Sequence, residues 1–127
     1  MRGVVITGSR DWTETAPIEQ ALRGADALIV GDCPTGADAI ALQTAKAWDI
    51  IAIVLTADWK GLGKKAGPVR NQAIADRAAS ELAGGMEVCC YAFPLAGSRG
   101  THDCRQRLER AGFRVTLPVA PVQEVLW

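Results

Sequence analysis

Basic residues are concentrated in one short segment of a chain whose formal net charge is zero. The segment WKGLGKKAGPVRNQAIA, residues 59–75, contains three of the four lysines, one arginine and no acidic residue. Pro68 favours the first turn of a helix, so we expect a helix to begin there. The first N–H groups of a helix have no partner within it, and Lys64, Lys65 and Arg70 beside them add positive charge. The segment predicts a phosphate site; the alternative is a basic loop that contacts only water.

Trp59 gives this basic segment an aromatic side chain. An indole at this position is able to stack on a nucleobase, as aromatic side chains do in many nucleotide sites. Packing into the core is the commoner fate of a tryptophan, and the sequence leaves both interpretations open.

A second set of candidate residues lies in GSRDW, residues 8–12, directly after an apolar run. The small residues Gly8 and Ser9 permit close approach of the backbone to a ligand. The guanidinium of Arg10 is a forked donor suited to phosphate or carboxylate. A tight turn with a solvated arginine explains the same residues, so this loop alone does not decide between the two.

The loop GDCPTGAD, residues 31–38, has two glycines five positions apart, like the opening of a Walker A loop. Ala37 and Asp38 stand where that motif needs lysine and a hydroxyl residue, so it is not a Walker A loop. We expect a helix after Gly36, with Thr35 and Asp38 forming a capping box. Its free N–H groups suit an anion, and Asp38 either caps the helix or binds sugar hydroxyls.

A fourth loop, FPLAGSRGTHD, residues 93–103, leaves an apolar run through Pro94. Gly97 and Gly100 permit close approach of the backbone, and we expect Thr101 to cap the following helix. His102 and Asp103 are possible acid or base groups. A single histidine without a hydrogen-bonded partner is more often an exposed residue, so the catalytic residues stay unknown.

The elements that must position these loops alternate along the chain. Apolar runs at residues 3–7, 27–30, 51–55, 88–93 and 114–117 predict strands that are covered on both faces. Between them we expect helices after Pro17, over residues 36–48, from Pro68 to about Gly84, and from Thr101 to Ala111. The pattern predicts an α/β fold, a Rossmann-like three-layer sandwich with a mostly parallel sheet of about five strands and helices on both faces.

The same periodicity predicts which helix residues are buried. We expect Ala37, Ile40, Ala41, Ala45 and Trp48 to form the inner stripe of the second helix. In the last two helices the expected inner residues are Ile74, Ala78, Leu82, Cys104, Leu108 and Ala111.

The composition limits the class of protein. A chain of 127 residues that is 49% apolar forms one domain, residues 1–127. Fourteen basic and fourteen acidic residues give no overall field that attracts nucleic acid or a membrane. The four cysteines lack the spacing of a metal site, and we expect no metal and no cofactor. We expect a cytoplasmic protein with reduced thiols, and an apolar tail, PVAPVQEVLW, that docks on its own core or on a second subunit.

Four stretches, TGSRDW, TGAD, ADWKGLGKKAGPVRN and AFPLAGSRGT, resemble in this order the YspA-like (YAcAr) branch of the SLOG superfamily. This Rossmann-like group is related to the DNA-processing protein DprA and to the LOG phosphoribohydrolases. The resemblance extends from about residue 3 to residue 117, and the third stretch is its most specific part. It implies a pocket for a nucleotide or a nucleotide-derived ligand, ADP-ribose-like or cyclic, and a homo-oligomer.

The resemblance also assigns residues to the pocket. Gly8, Ser9 and Arg10 correspond to the first ligand loop, and Gly36 and Asp38 to the second. Gly67, Arg70 and Asn71 correspond to positions that bind phosphate or ribose, and Gly100 and Thr101 to a phosphate-binding turn. Trp12, Trp59, Lys65, Pro94 and Gly97 complete our set of candidate ligand-binding residues.

One departure bears on catalysis. LOG enzymes hydrolyse an N-glycosidic bond with a glutamate, and Cys104 occupies that position here. Three hypotheses follow: a sensing or sequestering module that binds a nucleotide-derived ligand; a nucleotide N-glycosidase that uses Asp38 or Asp103 instead; and, third, binding of single-stranded DNA by analogy with DprA, which the balanced charge disfavours.

Overall fold

A computed structural model describes residues 1–118 of the chain. The elements, in chain order, are β1 (Arg2–Gly8), α1 (Ala16–Leu22), β2 (Ala27–Gly31), α2 (Gly36–Ala47), β3 (Ile51–Leu55), α3 (Trp59–Leu62), a 3₁₀ turn (Gly63–Lys65), α4 (Ala66–Ala83), β4 (Glu87–Phe93), α5 (Arg99–Arg110) and β5 (Val115–Thr116). The predicted tail lies largely outside the described residues.

The five strands form one sheet in the order β3-β2-β1-β4-β5, and every pair is parallel. At the centre, Val5 pairs with Ile29 of β2 on one side and Cys90 of β4 on the other. The chain builds outwards from β1 to β3 and then returns to add β4 and β5 on the opposite side. The strand order therefore reverses between β1 and β4, and ligands of open α/β sheets bind outside the carboxyl ends of the strands at this point.

Two apolar cores lie on the two faces of the sheet. Alternate residues of β1 enter different cores, as the period of two along a strand requires. In the first core, Val4 and Ile6 pack with Ile18 and Leu22 of α1 and with the alanines of α2. In the second core, Val5 packs with residues of α4 and α5. The structure confirms the predicted α/β fold with a five-stranded parallel sheet and helices on both faces.

The expected inner stripes are confirmed for most helix positions and wrong at three. Ala37, Ala41 and Ala45 are fully buried, as are Cys104 and Leu108, and Ile74 and Ala78 belong to the second core. Trp48 is 41% exposed because α2 ends one residue before it. Leu82 is exposed in the last turn of α4, and Ala111 is exposed just beyond the end of α5.

The predicted starts of two helices are wrong by two residues. α4 begins at Ala66, so Pro68 is its third residue, and α3 and the 3₁₀ turn before it were not predicted. In a helix that begins at Ala66, the N–H groups of Arg70 and Asn71 donate to carbonyls of the preceding turn. A helix that began at Pro68 would leave these N–H groups free to bind an anion, so this part of the expectation is wrong.

α5 likewise begins at Arg99, with Ser98 in the N-cap position, so Thr101 does not cap it. The expected capping box of α2 is absent as well. The Thr35 hydroxyl donates to the carbonyl of Arg10 over 3.0 Å and makes no cap hydrogen bond. The helix ends are confirmed, since Gly85 and Gly112 follow α4 and α5 with positive φ values of 100° and 98°.

Two kinds of feature are absent from residues 1–118. No helix there has the length and apolar character needed to cross a membrane. In the same range, no group of three or more histidine, cysteine, aspartate or glutamate side chains is placed to hold a metal ion.

Candidate functional site

Two adjoining cavities open at the carboxyl edge of the sheet. The first, which we call the β1 cavity, has a volume of about 370 Å³ and is lined, among others, by residues 7–11 at and after the end of β1 and by residues 96–101 before and at the start of α5. The second, the Trp59 cavity, has a volume of about 550 Å³ and is lined by Trp59, Lys64, Gly67 and Asp32 among others. Six residues line both cavities: Arg10, Cys33, Arg70, Asn71, Arg99 and Gly100. These volumes lie within the range of small-molecule sites in proteins.

The cleft brings together eleven of the fifteen candidate residues. Those that line the β1 cavity are Gly8, Ser9, Arg10, Asp38, Arg70, Asn71, Gly97, Gly100 and Thr101. Trp59 and Gly67 line the Trp59 cavity. Trp12, Gly36, Lys65 and Pro94 line neither.

Gly36 allows the start of α2 to pack closely against the loop after β1. Its φ of 72° favours glycine, and a Cβ atom there would overlap the carbonyl of Ser9 and the backbone of Arg10. The N–H of Ala37 donates to the Ser9 carbonyl over 3.1 Å, beside the hydrogen bond from Thr35 to Arg10. The glycine therefore lets the start of α2 lie against the loop after β1, where Arg10 faces the β1 cavity.

Trp12 belongs to the first core and not to the cleft. Its ring packs edge-on against Phe93 with 5.4 Å between ring centroids, and its indole N–H donates to the carbonyl of Glu14 over 2.7 Å. Lys65 and Pro94 are exposed, and the neighbouring Lys64 lines the Trp59 cavity instead of Lys65.

The guanidinium of Arg70 donates to one carboxylate and one side-chain amide of the protein itself. Its Nη1 donates to Oδ1 of Asp32 over 2.7 Å, and its Nε donates to Oδ1 of Asn71 over 3.1 Å. Gly31 leaves room for this arrangement, because a Cβ atom there would lie 2.6 Å from Nη1 of Arg70 and 2.8 Å from Oδ2 of Asp38. Arg70 thus lines both cavities with its charge balanced by Asp32.

Asn71 joins α4 to the start of α5. Its side-chain amide donates to the carbonyl of Gly100 over 3.2 Å and to Oδ2 of Asp103 over 3.0 Å, while its oxygen accepts from Arg70. The side chain is buried. Its amide nitrogen and its oxygen are both engaged within the protein, so Asn71 positions the first turn of α5.

Two aspartates of the cleft have pKa values that are shifted in opposite directions. Asp38 is only 6% exposed, and burial raises its pKa to about 6, although the N–H of Cys33 and the charge of Arg70 favour the ionised form. Burial would also raise the pKa of Asp103, but hydrogen bonds from Arg107 and Asn71 outweigh it and lower that pKa. Asp38 is therefore able to gain or lose a proton near neutral pH, whereas Asp103 stays ionised.

The cleft also contains donors without a partner. Arg10 and Arg99 are exposed, and their side chains make no hydrogen bond or ion pair within residues 1–118. In the first turn of α5, the N–H groups of Gly100 and Thr101 have no backbone partner in this range. An anion between these groups would meet two guanidinium side chains and two N–H donors.

Cys104, which the sequence resemblance aligned with the LOG glutamate, lines neither cavity. It is fully buried in the second core, and burial raises its pKa to about 11. A thiol in this state is a poor nucleophile at neutral pH, so Cys104 does not replace the glutamate chemically.

Sequence reasoning did not assign several residues that line the cleft, above all Asp32, Cys33, Lys64 and Arg99. Arg99 stands in a glycine-rich loop after a strand, so the criterion that selected Arg10 could have found it as well. No sequence signal identifies Asp32 as the partner of Arg70, because the two residues are 38 positions apart and meet only in the folded chain.

The fold and the cleft define a class: a parallel α/β protein with a polar cleft at the carboxyl edge of its sheet. Comparison with known proteins adds one relative. The chain is 35% identical to the Gene 61 protein of Mycobacterium phage D29, over 91% of this chain and 94% of that protein. The chain therefore belongs to the family of the Gene 61 protein. No family model and no solved structure matches it.

Proposed function

We propose that the protein binds a nucleotide or a nucleotide-derived ligand in the cleft, as a sensing or sequestering module. The observation that carries this proposal is a group of donors around the β1 cavity that have no partner within residues 1–118, formed by Arg10, Arg99 and the first turn of α5. The resemblance of four sequence stretches to the YspA-like branch of the SLOG superfamily supports the same class of ligand.

The charges of the β1 cavity support an anionic ligand. Three arginines and two aspartates line it, and Arg70 is already paired with Asp32. Arg99 is the first residue of α5, where a cation is unfavourable beside the positive end of the helix dipole unless an anion lies close by. A phosphate group would accept from the guanidinium groups and the N–H donors at once.

The direct test is calorimetric titration of the full chain with AMP, ADP, ADP-ribose, cyclic AMP and inorganic phosphate. We expect at least one nucleotide to bind, and we expect Arg99→Ala to weaken its binding about tenfold or more, the effect of losing one charge-assisted hydrogen bond. Arg23→Ala is the matched control, because Arg23 is exposed before β2, at the opposite edge of the sheet. If none of the five compounds binds at millimolar concentration, the proposal is wrong.

Asp38 supports a second candidate, hydrolysis of the N-glycosidic bond of a nucleotide. In this reaction water adds to the sugar carbon, the bond to the base breaks, and the departing base takes up a proton. A buried carboxyl group with a pKa of about 6 is suited to donate that proton. Asp103 is not suited to donate it, because hydrogen bonds from Arg107 and Asn71 keep it ionised.

Chromatography of nucleoside monophosphates incubated with the protein tests this candidate. Release of free base by the wild-type chain, and its loss in Asp38→Asn, would support hydrolysis. Nucleotides that bind and remain intact would leave the binding function and exclude this one.

A further inference from the structure

We propose that the Trp59 cavity is the base subsite of the cleft, so that the ligand is a nucleoside phosphate whose base stacks on Trp59 while its phosphate lies in the β1 cavity. The inference rests on the proposed function and adds to it the orientation and the chemical class of the ligand. A sugar phosphate or inorganic phosphate would fill only the β1 cavity.

The first observation is the exposure of Trp59. Trp59 is 57% exposed, although tryptophan is a residue that usually buries most of its surface, and it lines the Trp59 cavity. The sequence left open whether Trp59 packs into the core, and the structure places it outside both cores. An exposed indole at the wall of a cavity is available to stack on a flat ring.

The second observation is the position of the indole beside α4. A Cβ atom on Gly67 would lie 3.5 Å from Cη2 of Trp59, at ordinary contact distance, so the far edge of the indole lies beside this glycine. α3, which carries Trp59, is capped by Asp58, whose Oδ1 accepts from the N–H of Gly61 over 2.9 Å. The indole therefore lies beside the start of α4 while Trp59 stays more than half exposed.

The third observation connects Trp59 with the rest of the cleft. The carboxylate of Asp32 accepts from the N–H of Ala57 over 3.2 and 3.3 Å and also pairs with Arg70. Arg70 lines both cavities. The backbone two residues before Trp59 is thus fixed relative to the place where the two cavities meet.

The two cavities share donors and differ in one wall. Arg10, Arg99 and Gly100 line both cavities and Thr101 lines the β1 cavity alone, so these donors suit a phosphate in the β1 cavity or where the two cavities meet. Of the two, the Trp59 cavity alone has an aromatic wall. Because six residues line both, one ligand is able to occupy both cavities at once.

The test compares AMP with ribose 5-phosphate and inorganic phosphate by calorimetric titration of the full chain. We expect AMP to bind wild-type protein roughly tenfold or more tightly than ribose 5-phosphate, since stacking on an aromatic residue contributes this much per base. Trp59→Ala should reduce AMP affinity to that of ribose 5-phosphate and leave ribose 5-phosphate binding unchanged. Trp59→Phe, which keeps an aromatic ring, should restore most of the difference.

Trp48→Ala is the matched control. Trp48 is 41% exposed and lies after α2, before β3, at the edge of the sheet away from the cleft. Its substitution should leave the affinities for all three compounds unchanged. Tryptophan fluorescence gives an independent readout, because AMP should quench the emission of wild-type protein and of Trp48→Ala but not that of Trp59→Phe.

The outcomes separate this inference from the proposed function. If AMP and ribose 5-phosphate bind equally, or if Trp59→Ala weakens both equally, the base subsite is wrong while the binding of a phosphate compound stands. The inference is also wrong if Trp59→Ala changes only the sedimentation of the protein, which would make the exposed Trp59, Leu62 and Val69 a contact between copies. If none of the nucleotides or phosphates binds, both proposals are wrong.

Discussion

The loops around Gly8 and Gly36 differ from the segment around Trp59 in how closely they pack with the rest of the protein. A Cβ atom on Gly8 would lie 2.9 Å from the carbonyl oxygen of Phe93, and one on Gly36 would overlap the backbone of Ser9 and Arg10. By contrast, residues 58–65 are all exposed. Substitutions at the packed end of the cleft should therefore change stability, whereas substitutions at the exposed end should change ligand binding in a protein that still folds.

The largest expected effect is that of Gly36→Ala. A methyl group there adds backbone strain at a positive φ to overlap with a neighbouring loop, and we expect the free energy of unfolding to fall by about 3 to 4 kcal/mol. Gly97→Ala is the matched control, because Gly97 has a similar φ of 77° and no atom of the described residues within 4 Å of its Cβ position. We expect it to cost only about 1 kcal/mol. Equal losses in urea unfolding would contradict the close packing of the two loops.

The next effect concerns Asp38 and pH. Folding raises the pKa of Asp38 from 3.8 to about 6. The contribution of Asp38 to the free energy of unfolding is therefore fully present below about pH 4 and is lost as the pH rises to about 6. The total loss is about 2 to 3 kcal/mol, at 1.36 kcal/mol per pKa unit. We expect Asp38→Asn to gain stability relative to wild type by this amount between pH 4 and pH 7, measured by urea unfolding.

Asp103 provides the opposite case at the other side of the cleft. Its pKa is lowered, so its contribution is present above the unfolded pKa and is lost as the pH falls through the folded one. Asp103→Asn should therefore lose stability relative to wild type at neutral pH and approach it in acid. Parallel pH profiles of the two variants would show that the two carboxyl groups do not differ as described.

Asn71→Ala should cost about 2 kcal/mol, because the carbonyl of Gly100 and the side chains of Arg70 and Asp103 each lose a hydrogen-bond partner. The neighbouring Gln72 is exposed and its hydrogen bonds with Asp76 and Arg107 lie at the surface, so Gln72→Ala should change stability by only about 0.5 kcal/mol. Thermal unfolding of both variants measures the difference. A loss for Gln72→Ala as large as that for Asn71→Ala would mean that the buried network is not the cause.

The smallest effect separates two adjacent lysines at the exposed end. Lys64 lines the Trp59 cavity and Lys65 does not. Lys64→Ala should weaken nucleotide binding about two- to fivefold, as expected for one exposed charge, and Lys65→Ala should leave it unchanged. Both variants should unfold at the temperature of the wild type. A larger effect for Lys65 would show that the 3₁₀ turn presents the other lysine to the ligand.

The sheet could be predicted from sequence because its strands are apolar runs followed by glycine-containing loops. The starts of α4 and α5 could not, since Pro68 is tolerated anywhere in the first turn and therefore does not mark its first residue. α3 spans only Trp59–Leu62, one turn, which is too short to produce a helical period in the sequence. Trp48 fits the period of α2, but the period does not show that the helix ends at Ala47.

The candidate site was predictable to the level of loops but not of side chains. The topology of a parallel sheet places the loops after its strands at one edge, and this identified Arg10, Asp38 and Gly100. Which of two adjacent residues faces the cleft depends on backbone angles that the sequence does not give. The sequence therefore suggested Lys65, whereas Lys64 lines the cleft, and it suggested Pro94 but not Arg99. The pairing of Arg70 with Asp32 balances a charge that the sequence presented as free for a ligand.

The hydrogen bonds of the Ser9 carbonyl determine how fast amides around the cleft exchange with deuterium. This oxygen accepts from the N–H of Trp12 over 3.2 Å and from that of Ala37 over 3.1 Å. These two amides should exchange only when the loop after β1 separates from α2, with or without ligand. The amides of Gly100 and Thr101 have no backbone partner within residues 1–118, so they should exchange rapidly until a bound phosphate covers them. The exchange pattern would therefore locate the ligand before its identity is known.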